Sequence, residues 1–425
     1  MGNQRSNYAL AGAALFNPMA AVYWLDIMRG QRPGKGLAAV SAAGAACAAL
    51  AAGGRERPAR AIGIGLLAAG GAALAGLALD RYVAWLEERD APPSPPDAHD
   101  LLLPAAAVCA GAVGAVALAG RAPIEYAPFS GRHGDYRWIA ANPDPGARPS
   151  AWSGYLLHQL AVWGCIYAAQ QMRPGYARGM RPLNWAALAV NAGGVALHYA
   201  QSRRYYDGLA LDVPEGSSLG SAAFMLMLIL AMESPRRGLV LGSRQVQLPP
   251  ELNHFIKRYH GYILSWATVY TFWYHPIEPL PSHLGGLYHT MLLFVQSSLL
   301  FTRAHLDPRW TLALEMLAMP HAVITTLQKR SGFAAMFSFG FMGMFVLAQM
   351  HGLGLSRRVK LGIGAGYGAA ALAWYGGRGQ WQKLPDILRV PILEYGIVGL
   401  LAALTLLIRR LQHHEGDCRL IIWYR

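Results

Sequence analysis

The sequence predicts an all-α, polytopic integral membrane protein of about eleven to thirteen transmembrane helices. Three observations predict it. Of 425 residues, 54% are hydrophobic and 14% are charged, whereas soluble globular chains carry about 25% charged residues. The charges fall in short clusters between apolar runs of roughly 17 to 22 residues, the length of the ~20-residue helix that crosses a bilayer. Arg clusters sit at the ends of those runs, as the positive-inside rule requires. The net charge of +14 follows from these clusters. No basic stretch is long or interleaved with exposed aromatics, so nucleic acid is excluded as a partner; the expected partners are membrane lipid and a small lipophilic substrate.

Taken in order, residues 1–86 form an Ala/Gly-rich scaffold with spans at about 8–28, 37–54 and 61–79, in which small residues let helices approach closely. The first of these is expected to be a span and not a signal peptide, because its apolar run is too long and lacks a cleavage site. Gly2 and Ser6 formally match a myristoylation pattern, but a polytopic chain needs no lipid anchor. An acidic, Pro-rich linker occupies 87–100, and 101–233 holds the next spans (101–120, 153–172, 184–201 and 217–233) around a polar loop at 121–152. Loops of this length are often functional, although "GRHGDYRW" (131–138) also reads as a turn at the membrane surface. Residues 234–355 are expected to be a His-rich functional core with spans at 259–275, 285–302, 310–328 and 333–353, and 356–425 supplies spans 361–376 and 390–408 with a basic tail. Basic "SRRVK" (356–360) and Arg409, Arg410, Arg419 and Arg425 place the C-terminal tail in the cytoplasm, opposite "HPIEPLPSH" (275–283). The four cysteines, Cys47, Cys109, Cys165 and Cys418, form no CxxC pair, and neither a disulfide framework nor a Cys metal site is expected.

Eight of fourteen histidines lie between 254 and 351: His254, His260, His275, His283, His289, His305, His321 and His351. Ionisable groups in spans usually face a bundle interior or a wet cavity. The topology puts His260, His305 and His351 near one face, His275, His283 and His289 near the other, and His321 between. One reading is a membrane oxidoreductase. His260 and His275 are fifteen residues apart, roughly 22 Å along a helix and within about 60° of one face, a geometry that could ligate two haems of the b type. His289 and His305 are sixteen apart and turn about 160° from each other, which strains the partner helix. A transition metal held by His275, His283 and His289 is the other form of this reading.

A second reading comes from a resemblance. "MESPRRGLVLGSRQVQLPP" (232–250), "HLDPRW" (305–310) and the apolar helix ending "QMHGLG" (349–354) resemble successive landmarks of the wax-synthase-like branch of the membrane-bound O-acyltransferases, over residues 232–355. The resemblance implies an Arg-Gly loop, a helix-entry motif with Arg309 and Trp310, and an active-site His at His351, forty-one residues beyond Trp310. Ala348-Gln349 stands where the family has Ser-Gly, and Thr311 where it has Asn or His. On this reading acyl-CoA and a lipophilic alcohol are the substrates, no cofactor is needed, and His351 is the general base. Gln349 or Glu315 would orient it, and Arg236, Arg237, Arg309 and Arg357 would meet the CoA phosphates.

Glu315 and His321 project about 120° apart on one helix, so each is expected to pair with a neighbouring span. His158 and His198 are expected to be packed polar residues, and "LQHHEGDC" (411–418) a solvated tail. "GIGAGYG" (362–368) follows no strand and is no nucleotide loop. Asn17-Pro18 and Asn191 could line a transport path, a third reading; the chain carries no clear internal repeat.

Overall fold

The computed structural model describes residues 94–128, 136–172, 174–243 and 247–414, with single positions 81, 85, 88 and 245. The scaffold spans before residue 80, the Asn17-Pro18 break, Cys47, Cys418 and the tail beyond 414 lie outside the described residues. Among the described residues ten helices follow one another: α1 (Leu102–Ala119), α2 (Ala147–Met172), α3 (Pro182–Tyr205), α4 (Glu215–Arg237), α5 (Pro250–Tyr274), α6 (Pro281–Ser298), α7 (Pro308–Gln328), α8 (Ala334–Leu347), α9 (Arg357–Gly376) and α10 (Arg389–His414). Each of the ten spans expected between 101 and 408 falls on one of them. Among the described residues the only strand pair is antiparallel, β1 (Ser94–Asp97) with β2 (Gly179–Met180).

Local chemistry explains where the helices start and stop. Pro182, Pro250, Pro281 and Pro308 each open a helix, where a missing N–H costs nothing and φ is already set. Asp144 makes an Asx-turn just before α2, its Oδ1 accepting from Gly146 N at 2.7 Å, and Ser356 caps α9 through Val359 N at 3.4 Å. Asn184 Oδ1 accepts from Arg181 N at 2.8 Å at the start of α3. Gly238, at φ 76°, ends α4 in the left-handed conformation that only glycine adopts cheaply.

Among the described residues five segments are long and apolar enough to cross a bilayer: α1, α4, α7, Ala334–Gly352 and Trp381–Arg410. Their outward faces are apolar too. Leu103, Val108 and Leu118 on α1, and Ile392, Leu400 and Ile408 on α10, are exposed, an arrangement that only a lipid solvent makes favourable. The chain is an all-α integral membrane protein.

The fold divides into two units. The first holds residues up to Ala222 and Gly261–Asp307; the second holds Ala223–His260 and Pro308–Arg425. In the first, α3 packs on α2 and α6, and α1 on α6. Helices come close where glycine removes a side chain: a Cβ on Gly154 would sit 2.1 Å from the ring of buried Trp273, and one on Gly194 would sit 2.4 Å from the His158 ring. A small-residue core of Cys165, Ala168, Ala169, Leu183 and Ala187 joins α2 to α3. In the second unit α8 is central, packed on α7, α9 and α10.

Candidate functional site

In the second unit, an ion network forms where α4 ends. Arg237 is 3% exposed and donates from Nη1 to Glu315 Oε2 at 2.7 Å and from Nη2 to Glu315 Oε1. This is the two-pronged guanidinium–carboxylate pairing that Arg geometry favours. Its Nε lies 3.3 Å from Glu233 Oε2. Arg236 also pairs with Glu233 and donates from Nη1 to the Gly352 carbonyl at 3.2 Å. Gln349 Nε2 donates to Glu315 Oε2 at 3.1 Å. Arg236, Arg237, Glu315 and Gln349 are thus brought together, and Glu315 has the cross-helix partner expected of it.

His351 sits on the 3₁₀ turn Gln349–Gly352 that follows α8. Its Nε2 is 3.1 Å from Val346 O. A carbonyl only accepts, so Nε2 carries the proton and Nδ1 presents a lone pair. The turn Val240–Ser243 lies against this ring: Leu241 N donates to Leu347 O at 2.6 Å. A Cβ on Gly242 would come 2.8 Å from Nδ1, and Gly242 has φ 75°. Glycine is needed there for both the conformation and the space. Arg309 and Trp310 lie in the first turn of α7, about 8 Å along the axis before Glu315. Arg357 opens α9, six residues beyond His351, and both Arg309 and Arg357 are exposed.

The sequence reading missed two carboxyls of the second unit. Glu233 stands three and four residues before the two arginines, the helical spacing of a salt bridge, and Glu394 is an acid inside the apolar run "VPILEYGIVGLL". Both signals were legible.

A second polar cluster occupies the first unit, where residues 121–128 and 136–140, the end of α3 and "HPIEPLPSH" meet. Tyr206 has φ 70° and ψ −78°, and Asp207 N donates to Tyr205 O at 3.1 Å: a γ-turn of the rare, strained hand. The loop is anchored on this turn. Asp207 Oδ1 accepts from Ala140 N at 3.2 Å, Tyr206 Oη donates to Trp138 O at 3.3 Å, and Arg121 lies 4.6 Å over the Tyr206 ring. Tyr136 Oη and His283 Nε2 are 2.6 Å apart, and the His275 and His283 rings are 5.9 Å apart. Burial pushes the Asp207 carboxyl up to about 6 and raises Glu278 also, the latter opposed by Tyr206 and Arg121. Among the described residues Asp207 Oδ2 and Glu278 Oε1 have no hydrogen-bond partner.

Of the histidines proposed as ligands, the fold brings His275 and His283 together. His305 Nδ1 lies 3.2 Å from Gln296 O and so donates to it. His289 is on α6, His321 on α7, and His260 on α5 within the second unit. Among the described residues no three His, Cys, Asp or Glu side chains are grouped so as to hold a metal ion. His158 is saturated: Trp273 Nε1 donates to its Nδ1 at 3.3 Å, and its Nε2 is 3.1 Å from Asn191 Oδ1. His198 Nε2 donates to the His275 carbonyl at 2.7 Å. Asn191 is itself held by Ser297 and Ser298.

No protein-family model matches the chain, and neither a curated protein nor a solved structure matches it.

Proposed function

We propose that the chain is a membrane-embedded O-acyltransferase that moves an acyl group from acyl-CoA to a lipophilic alcohol, with His351 as general base. The observation that carries this reading is the His351 ring. It is fixed through Nε2–H on the Val346 carbonyl, so the basic Nδ1 lone pair is presented in a defined direction. The Gln349–Glu315–Arg237 chain of hydrogen bonds anchors the turn that bears it.

On this reading Nδ1 takes the proton of the alcohol hydroxyl as its oxygen attacks the thioester carbonyl. The C–S bond then breaks, and the imidazolium returns the proton to the departing CoA thiolate. Positioned proton transfer of this kind contributes about 10²–10⁴ in rate. Arg237 is buried and paired, which gives it a positioning role. Arg236, Arg309 and Arg357 are the residues offered to the CoA phosphates. The basic C-terminal end is assigned to the cytoplasm, where acyl-CoA would dock.

The test is release of free thiol from acyl-CoA by the detergent-purified chain in the presence of a long-chain alcohol. His351→Ala should cut the rate about 100- to 10,000-fold; turnover equal to the wild type refutes His351 as base. A second reading, a haem- or metal-dependent oxidoreductase, is favoured by the 5.9 Å pairing of the His275 and His283 rings. A reduced-minus-oxidised spectrum and metal analysis on the same sample decide between the two. A haem band, or stoichiometric metal lost on replacing His275, would overturn acyl transfer.

A further inference from the structure

Glu394 lies two turns into α10 and is 5% exposed. The turn of helix that carries it is firmly seated. Tyr395 Oη donates to Leu239 O at 2.6 Å, and a Cβ on Gly340 of α8 would come 2.8 Å from Val390. Among the described residues its carboxyl makes no hydrogen bond and no ion pair.

The cations of the ion network and at the start of α10 are engaged elsewhere. Arg237 is held by Glu315 and Glu233, and Arg236 by Glu233 and the Gly352 carbonyl. Arg389 on the same helix pairs with Asp386 at 2.9 Å, Lys383 is exposed, and α8 brings no titratable side chain. Glu315 and Glu233 are thus each matched by a guanidinium, whereas Glu394 forms no ion pair among the described residues. A carboxylate here would be a buried, unpaired charge, a highly unfavourable state for the group.

We propose that Glu394 is a proton-binding site: a membrane-buried carboxylic acid that stays neutral at neutral pH and holds an exchangeable proton. Losing that proton would leave a buried carboxylate with no ion-pair partner among the described residues. The inference does not depend on acyl transfer and survives if that reading fails.

A neutral carboxylic acid in an apolar setting has a chemical signature. Its proton passes to a nitrogen of a lipophilic carbodiimide, and its oxygen bonds to the central carbon. The O-acylisourea then rearranges to a stable N-acylurea, with no atom lost and no redox change. The detergent-purified full chain is treated with dicyclohexylcarbodiimide at neutral pH and mapped by peptide mass spectrometry. The adduct is expected on Glu394 and not on ion-paired Glu315, and it should vanish in Glu394→Gln. The second readout is thermal stability: Glu394→Gln, a neutral near-isostere, should unfold within a degree or so of wild type, whereas Glu315→Gln should unfold well below it. Absence of the adduct, or a loss in Glu394→Gln as large as in Glu315→Gln, overturns the proposal.

Discussion

Replacing Asp207 with Asn tests the cluster at the end of α3 through its pH dependence. Burial lifts this carboxyl from its ordinary 3.8 to about 6, so the folded chain binds the proton more tightly than the unfolded chain. The sign follows from linkage. Stability from that proton is fully present below the unfolded value near 4, and it is lost as pH rises through the folded value near 6. At 1.36 kcal/mol per unit the whole effect is about 3 kcal/mol, and about 2 kcal/mol of it falls between about pH 4.5 and about pH 7.5. Asn keeps the acceptor for Ala140 N but cannot titrate. Thermal unfolding of both proteins in the same detergent, across that range, should show the wild type losing ground to Asp207→Asn by about 2 kcal/mol as pH rises. Glu278, also raised by burial, leaves a residual slope of the same sign in both. Parallel curves would refute the assignment of Asp207 as a buried, weakly partnered acid.

Further substitutions test the packing and the ion network. Glu315→Gln leaves Arg237 buried with only Glu233 beside it and should cost about 3–5 kcal/mol in thermal unfolding; replacing Arg237 and Glu315 together by Met should recover most of that, because a buried pair exchanged for apolar groups is often near neutral. Gly154→Ala drives a Cβ to 2.1 Å from the ring of Trp273, which is 0% exposed and has nowhere to move, so a loss of at least about 1–3 kcal/mol is expected. Gly111→Ala on α1, with nothing within 4 Å of its Cβ, is the control and should hold or gain stability by helix propensity. Equal behaviour of the two glycine variants would sink the close-approach argument.

These predictions fall where the sequence was least legible. Helix positions could be read because a span needs only an apolar run of the right length, and prolines at 182, 250, 281 and 308 mark the starts. The role of Arg237 could not be read that way. An arginine at a helix end looks like positive-inside topology until its partner Glu315, 78 residues away, is known to be buried with it. Gly154 looks like any small residue in an apolar helix until Trp273 is laid across it. Asp207 looks like loop chemistry, because the γ-turn that buries it depends on Arg121, Trp138 and Ala140 arriving from another segment.

The histidines carry the same lesson with the opposite sign. Their crowding between residues 254 and 351 invited a single explanation, yet the chain spends them on different tasks. His305 is tied to a carbonyl one loop away, and His275 and His283 join an aromatic cluster with Tyr136. His351 is held by a carbonyl at the end of the helix preceding its turn. In lipid every polar side chain must find a partner within the protein, so imidazoles accumulate wherever backbone carbonyls are left over at helix ends. Density of histidine along the sequence therefore measures the number of helix ends and tight turns as much as it measures ligands. The informative property of a single ring is which nitrogen the fold has already committed. By that criterion His351, with Nε2 committed and Nδ1 presented, is the histidine of the second unit to substitute first.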